Sequence, residues 1–226
     1  LDGSSKIGEL AARAKELGMD SMAITDHGVM YGVIDFYRAA RAAGVKPIIG
    51  CEVYVSPGSR FDRETVHGED RYYHLVLLAE NNTGYQNLMK IVSKGFVDGF
   101  YYKPRIDEEV MREYHEGIIA LSACLAGEVP RYLEKGLYED AKAAKRHLEI
   151  FGDGNYFLEL QDHGIPMQRQ VNQGIMRLSK ELNIPLVATN DCHYINAEDW
   201  EAHDILLCIQ TGKKVSDENR MRYEGG

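Results

Sequence analysis

The sequence predicts an α/β domain whose strands form a parallel sheet, open or closed into a barrel. Three observations predict it. Short apolar runs alternate with segments whose apolar residues recur at helical spacing. Most runs are separated by such a segment, the pattern of repeated strand–helix–strand units. Polar residues able to bind metal follow one run after another, as expected where parallel strands end.

The elements follow in order. Ile7, Leu10, Ala11, Ala14 and Leu17 repeat as one helix face, with Ser4 or Ser5 as N-cap and Gly18 as the stop. Ser21–Thr25 reads as a buried strand. A helix over Tyr31–Ala43 is expected to bury Val33, Phe36, Tyr37 and Ala40. Pro47–Val55 and His74–Ala79 are the next strands, and Thr83–Lys94 a helix. Gly117–Leu121 is a strand. Tyr138–Phe151 is a helix opened by acidic residues that suit its N-terminal dipole. Tyr156–Gln161 is a strand, Pro166–Leu182 a helix with Pro in its first turn, and Pro185–Thr189 a strand. Asn196 caps a last helix to Gln210. Two segments break the rhythm. Ser56–Tyr72 is polar and reads as a surface excursion. Gly99–Asp107 is aromatic and basic and lies between helical stretches.

Composition narrows the function classes. The chain has 226 residues, 44% hydrophobic and 27% charged, enough for one large globular domain. No apolar run approaches the roughly 18 residues of a membrane span. No charged-then-apolar leader opens the chain, which begins at Leu1 and stops at Gly226; it reads as part of a longer protein. Cys51, Cys124, Cys192 and Cys208 form no C-x-x-C pair and are expected to stay reduced in a cytosolic setting. The formal charge of −9 argues against a broadly basic nucleic-acid surface. Bound cations could still bring phosphate to an acidic protein.

Five strand ends carry candidate ligands: Asp26-His27-Gly28, Cys51-Glu52, Ser122-Ala123-Cys124, Asp162-His163-Gly164 and Asn190-Asp191-Cys192-His193. A single Asp or His there often only caps the next helix. Glu52 is sharper, because a carboxylate inside an apolar strand must be paired or bound to a cation. Asp191 and His193 lie two apart in an extended segment and so point the same way. Taken alone, His74 at a strand start and Cys124 in an apolar setting read as structural. Lys103 and Arg105 could contact phosphate, or simply belong to a solvated loop.

Several motifs together resemble a known family. They are Leu1-Asp2-Gly3-Ser4, Ala23-Ile24-Thr25-Asp26-His27-Gly28, Pro47-Ile48-Ile49-Gly50-Cys51-Glu52, His74-Leu75-Val76-Leu77-Leu78-Ala79, Phe100-Tyr101-Tyr102-Lys103-Pro104-Arg105, Leu121-Ser122-Ala123-Cys124-Leu125 and Ala188-Thr189-Asn190-Asp191-Cys192-His193-Tyr194. This set resembles the PHP (polymerase and histidinol phosphatase) domain, in the form found at the N-terminus of bacterial replicative DNA polymerase III alpha subunits.

The resemblance implies a distorted seven-stranded (β/α) barrel, one strand more than the six read from the residues. It implies up to nine ligands holding a cluster of up to three metal ions in the complete domain. Seven map onto Asp2, His27, Glu52, His74, Cys124, Asp191 and His193. The other two, a His-x-His pair on a first strand before Asp2, have no counterpart after Leu1, so this chain should bind metal more weakly than the complete domain. Zinc suits the His and Cys donors, and the carboxylates admit manganese or iron. Glu52 and Asp191 are the residues expected to carry catalysis, with Lys103 and Arg105 on the substrate. Residues 1–212 would form the domain and 213–226 begin a linker towards a polymerase region.

The implied activity is metal-dependent phosphodiester hydrolysis, removing nucleotides from a DNA 3′ end in proofreading. The setting would be a DNA-directed DNA polymerase of the bacterial cytoplasm, with DNA and the other holoenzyme subunits as partners. One alternative is an inactive metal-stabilised module that supports the polymerase or a partner exonuclease. Another is a small-molecule phosphatase of the histidinol phosphatase type.

Overall fold

The computed structural model describes residues 2–64 and 71–223. Its strands are β1 (Ser21–Ile24), β2 (Lys46–Val55), β3 (Tyr73–Ala79), β4 (Phe100–Tyr101), β5 (Lys103–Ile106), β6 (Ile118–Leu121), β7 (Tyr156–Leu160) and β8 (Leu186–Ala188). Six run side by side in the order β1-β2-β3-β6-β7-β8, and these are the six read from the sequence. The β4-β5 hairpin, formed from the aromatic and basic segment, attaches to the far end of β2.

The sheet is mixed rather than parallel. β3 runs antiparallel to both β2 and β6, while the β1-β2, β6-β7 and β7-β8 pairs are parallel. The segment between β2 and β3 carries no helix among its described residues, so it does not form the helical crossover typical of parallel neighbours. Among the described residues β1 and β8 share no ladder, so the sheet curls as a half-barrel. Residues 65–70 of the expected surface excursion lie outside the described residues.

The helices are α1 (Ile7–Glu16), α2 (Val33–Ala43), α3 (Asn82–Val97), α4 (Glu108–Tyr114), α5 (Glu128–Glu134), α6 (Tyr138–Ala141), α7 (Ala144–Phe151), α8 (Pro166–Leu182) and α9 (Trp200–Thr211). Local chemistry explains several ends. Asn81 accepts from Gly84 N to open α3, and Asp107 from Val110 N to open α4. Gly44 and Asn183 end α2 and α8 in the left-handed region. Some expectations fail. Lys6, not Ser4 or Ser5, precedes α1, and no side chain caps it. Tyr37 is 47% exposed, because Val33, Phe36 and Ala40 alone fill the inner face of α2. The helix expected over Tyr138–Phe151 breaks at Lys142-Ala143, and nothing in the sequence pattern marks the break.

Strand alternation then separates two faces. Cys51, Val53, Val55, Leu75, Leu77, Ile118, Ala120, Tyr156 and Leu158 pack under the helices in the main core. Val76, Leu121 and Ala123 form a smaller inner cluster with Phe157 and Val187. Glu52, between Cys51 and Val53 on β2, takes the inner side.

One partly buried ion pair ties α5 to α7. Glu128 accepts two bonds of 2.7 Å from Arg146 and lies 2.9 Å from His147 Nε2. Burial works to raise the Glu128 pKa, but His147 and Arg146 outweigh it and hold it below its ordinary 4.5. A depressed carboxylate stabilises the fold above its unfolded pKa and loses that contribution as pH falls through its folded value. Glu128→Gln should therefore cost about 1 kcal/mol near pH 7, since Arg146 stays partly solvated and keeps Glu108. In chemical denaturation the gap to the unmodified protein should close as pH drops below 4.5.

Candidate metal centre

The centre forms where β1, β2, β6 and β8 end and β3 begins. His27 follows β1 and pairs across a bridge with Glu52; Gly28 N donates to Glu52 O at 2.8 Å. His74 starts β3, yet antiparallel pairing sets it opposite Tyr54 near the end of β2. Its position at a strand start is thus the correct end of the sheet for a site residue. Cys124 follows β6 in a loop closed by Gly127 N to Cys124 O, and Ala126 O accepts from His74 N.

The side chains converge. Glu52 Oε1 lies 2.8 Å from His27 Nδ1 and 2.6 Å from His74 Nδ1, and Asp2 Oδ2 lies 2.9 Å from His27 Nε2. Cys124 Sγ is 3.7 Å from His74 Nδ1. Asp2, His27 and His193 form one group with ligand atoms within 4.8 Å of one another, and His27, Glu52 and His74 form a second. Asp191 Oδ1 stands 3.9 Å from His193 Nδ1, the loosest member of the set.

These donors fit a divalent cation. Glu52 is 4% exposed, and Oε1 of Glu52 and Nδ1 of His27 lack hydrogen-bond alignment despite their closeness. Lone pairs that approach without sharing a proton can be satisfied by a common cation. Charge balance agrees. Contacts with Asp2 and Glu52 raise the His27 pKa to about 10, so the pocket favours positive charge. His27 in turn holds Asp2 down at about 2. Burial works against Glu52, but His27 and His74 keep it at about 2. Asp191 is pushed up by burial and by Glu52. Burial also raises the Cys124 thiol, so a thiolate there needs an adjacent cation. A neutral imidazole has one lone pair, so His27 can serve one of the two groups at a time.

Residues behind this ring fix it. The His203 ring contacts the Asp2 carbonyl through Nε2 at 2.5 Å, and Ser4 N donates to His193 O at 2.8 Å. His163 Nδ1 accepts from Gln168, so its Nε2–H is free to donate to the Asn190 carbonyl, 2.5 Å away. That carbonyl precedes Asp191, whose φ of 48° lies in the left-handed region. His163 thus supports the loop and is not a member of either ligand group.

The expected substrate pair divides. Lys103 stays near the centre, its Nζ 5.2 Å from the Tyr54 ring, which stacks on His27. Arg105 does not face it. It is 4% exposed, and its guanidinium donates to the carbonyls of Gly99, Arg60 and Asp62. Arg105 ties the hairpin to the 60–62 loop and has no free donor face for phosphate. The sequence reading missed Tyr54, Tyr72, His203 and Tyr223. Tyr54 and Tyr72 stand against His74, and Tyr223 Oη is 3.2 Å from His193 Nε2. Tyr54 was signalled, since it shares the Glu52 face of β2.

Comparison with known proteins agrees with this architecture. The chain is 48% identical over 225 residues to the DNA polymerase III subunit alpha of Treponema pallidum, covering 99% of this chain and 19% of that one. It is 45% identical over 227 residues to the protein of the same name from Thermus aquaticus, covering 99% and 18%. The chain thus spans about a fifth of the length of these relatives. Two solved structures share its fold. One is an amidohydrolase from Chromobacterium violaceum (TM-score 0.53, 14% identity, 88% of this chain and 85% of that one). The other, from Bifidobacterium adolescentis, is described as a candidate metal-dependent phosphoesterase (TM-score 0.51, 15% identity, 86% and 84%). The family model of the PHP domain matches residues 1–163, and the chain belongs to that family.

Proposed function

We propose that this domain is a metal-dependent phosphodiesterase which trims a DNA 3′ end within a bacterial replicative polymerase. The observation that carries the reading is the convergence of Asp2, His27, Glu52, His74 and His193 on shared positions at one end of the sheet. Cys124 and Asp191 complete the proposed ligand set. Bound divalent ions, zinc or else manganese or iron, would supply hydroxide near neutral pH and neutralise the phosphoryl oxygens.

The chain's own residues do the rest. Glu52, anchored in β2 and flanked by two imidazoles, holds its carboxylate where two cation positions could share it. His203 and His163 keep the Asp2 and Asp191 backbones in place. Lys103 offers a cation at the rim to a polyanionic strand. Residues 1–212 hold every proposed ligand. In this reading the domain works in a cytoplasmic replication polymerase, with DNA and the other holoenzyme subunits as partners; its likeness to proteins named DNA polymerase III subunit alpha supports that setting. Among the described residues no helix is long and apolar enough to cross a membrane.

The test is trimming of a 3′-mismatched primer by the full-length protein, with and without Asp191→Asn. Asn tolerates the left-handed backbone at this position and removes only the charge. Trimming should fall by roughly a hundredfold or more. Equal trimming by both proteins would sink the assignment. A second reading, an inactive metal-stabilised module, draws support from how the ligand set joins segments as distant as Asp2 and His193. Chelation that unfolds a protein with no nuclease activity would favour it.

A further inference from the structure

We infer that Tyr223 is a phosphate-oxygen donor of the metal centre, delivered by a strap formed by residues 213–223. The inference rests on the proposed reading of the centre as a phosphoester site.

The strap is anchored independently of the centre. Gly212 ends α9 in the left-handed region, and Lys214 N donates to the Asp217 carboxylate at 2.9 Å. Arg220 makes a two-pronged pair with Asp204 of α9, at 2.5 and 2.7 Å, its side chain 4% exposed. The Tyr223 ring then lies 4.8 Å from that of His193 and 5.0 Å from that of His203. Residues 213–223 thus run back beside the ligand ring.

The tautomer of His193 gives this contact its meaning. Nδ1 of His193 lies 2.8 Å from the Asp191 carbonyl, which only accepts, so Nδ1 carries the proton and Nε2 the lone pair. Tyr223 Oη, 3.2 Å from Nε2, donates to that lone pair. Nε2 is therefore the atom His193 can offer to a cation shared with Asp2 and His27. Once a cation takes the lone pair, the phenol proton loses its partner on His193. The phenol oxygen remains beside the coordination shell, whose donor atoms are about 3.3 Å apart for bonds of about 2.0–2.1 Å. The group entering the open position of that shell would be a phosphoryl oxygen, an acceptor for the freed O–H. The phenol already faces the Nε2 lone pair as a donor, so it enters the centre as a neutral hydroxyl and not as a ligand. In this account the functional unit reaches past residue 212 to include Tyr223.

The experiment loads the full chain with Co2+, titrates inorganic phosphate and follows the visible spectrum. Tyr223→Phe keeps the ring and removes the donor. Its Co2+ stoichiometry should equal that of the unmodified chain, and its phosphate affinity should fall about tenfold or more. Arg220→Met, which frees the strap, should weaken phosphate binding in the same direction. Phosphate affinity within about twofold of the unmodified chain in Tyr223→Phe would overturn the inference. So would loss of Co2+ from that variant, or a loaded unmodified chain that binds no phosphate. Absent DNA trimming together with an intact phosphate effect would remove the nuclease reading and leave Tyr223 in its role.

Discussion

Glu52→Gln should lower divalent-metal affinity by at least about a hundredfold, since loss of a supporting group behind a ligand alone costs about 10–100-fold. The change is nearly isosteric, so the packing of β2 survives. What disappears is the one carboxylate that both His27 and His74 approach, at 2.8 and 2.6 Å. In its place an amide, at a position only 4% exposed, faces two imidazoles. A hundredfold loss is about 2.7 kcal/mol of binding free energy. Competition with a chromophoric chelator measures it. Near-equal affinity in the two proteins would remove Glu52 from the ligand set.

Gly127→Ala should destabilise the fold by about 3 kcal/mol, the upper range for overpacking. Gly127 sits at the tip of the loop that carries Cys124, just before α5. An added Cβ would meet the Ser122 carbonyl oxygen at 2.1 Å and the Cys124 carbonyl oxygen at 3.2 Å. Both neighbours are backbone, so no side chain can rotate away. Relief requires the loop to open, which withdraws Cys124 from His74 and breaks the Gly127 N to Cys124 O bond. The substitution should thus lower both the thermal midpoint and metal affinity. A variant that melts with the unmodified protein would show that the loop yields freely.

The strands were legible in the sequence because a short apolar run marks a buried strand whichever way it points. Its direction was not, which hid His74: an inward His at a strand start belongs to the ligand-bearing end only when the strand is reversed. The polar Ser56–Tyr72 segment, with no apolar residues at helical spacing, was the available signal. Glu52 was legible from burial alone, because a carboxylate in an apolar strand needs a counter-charge. Asp191 and His193 were legible as a pair, although the left-handed Asp191 makes the segment less regular than an extended strand. Arg105 misled, because its composition matches a phosphate contact as well as it matches a buried tie to three carbonyls. Tyr223 gave no local signal. Its place follows from the Arg220–Asp204 pair, a contact made in three dimensions. The described residues do not show the closed barrel that the resemblance implies, since β1 and β8 share no ladder.

If one end of this sheet is a cation site built around His27 and Glu52, counting the metal that each chain retains reveals it. Unmodified chain and Glu52→Gln are equilibrated with the same buffered free zinc, separated from it, and analysed by elemental mass spectrometry. The unmodified chain should retain at least one ion and the variant none. Equal retention by both proteins, or none by either, would contradict it.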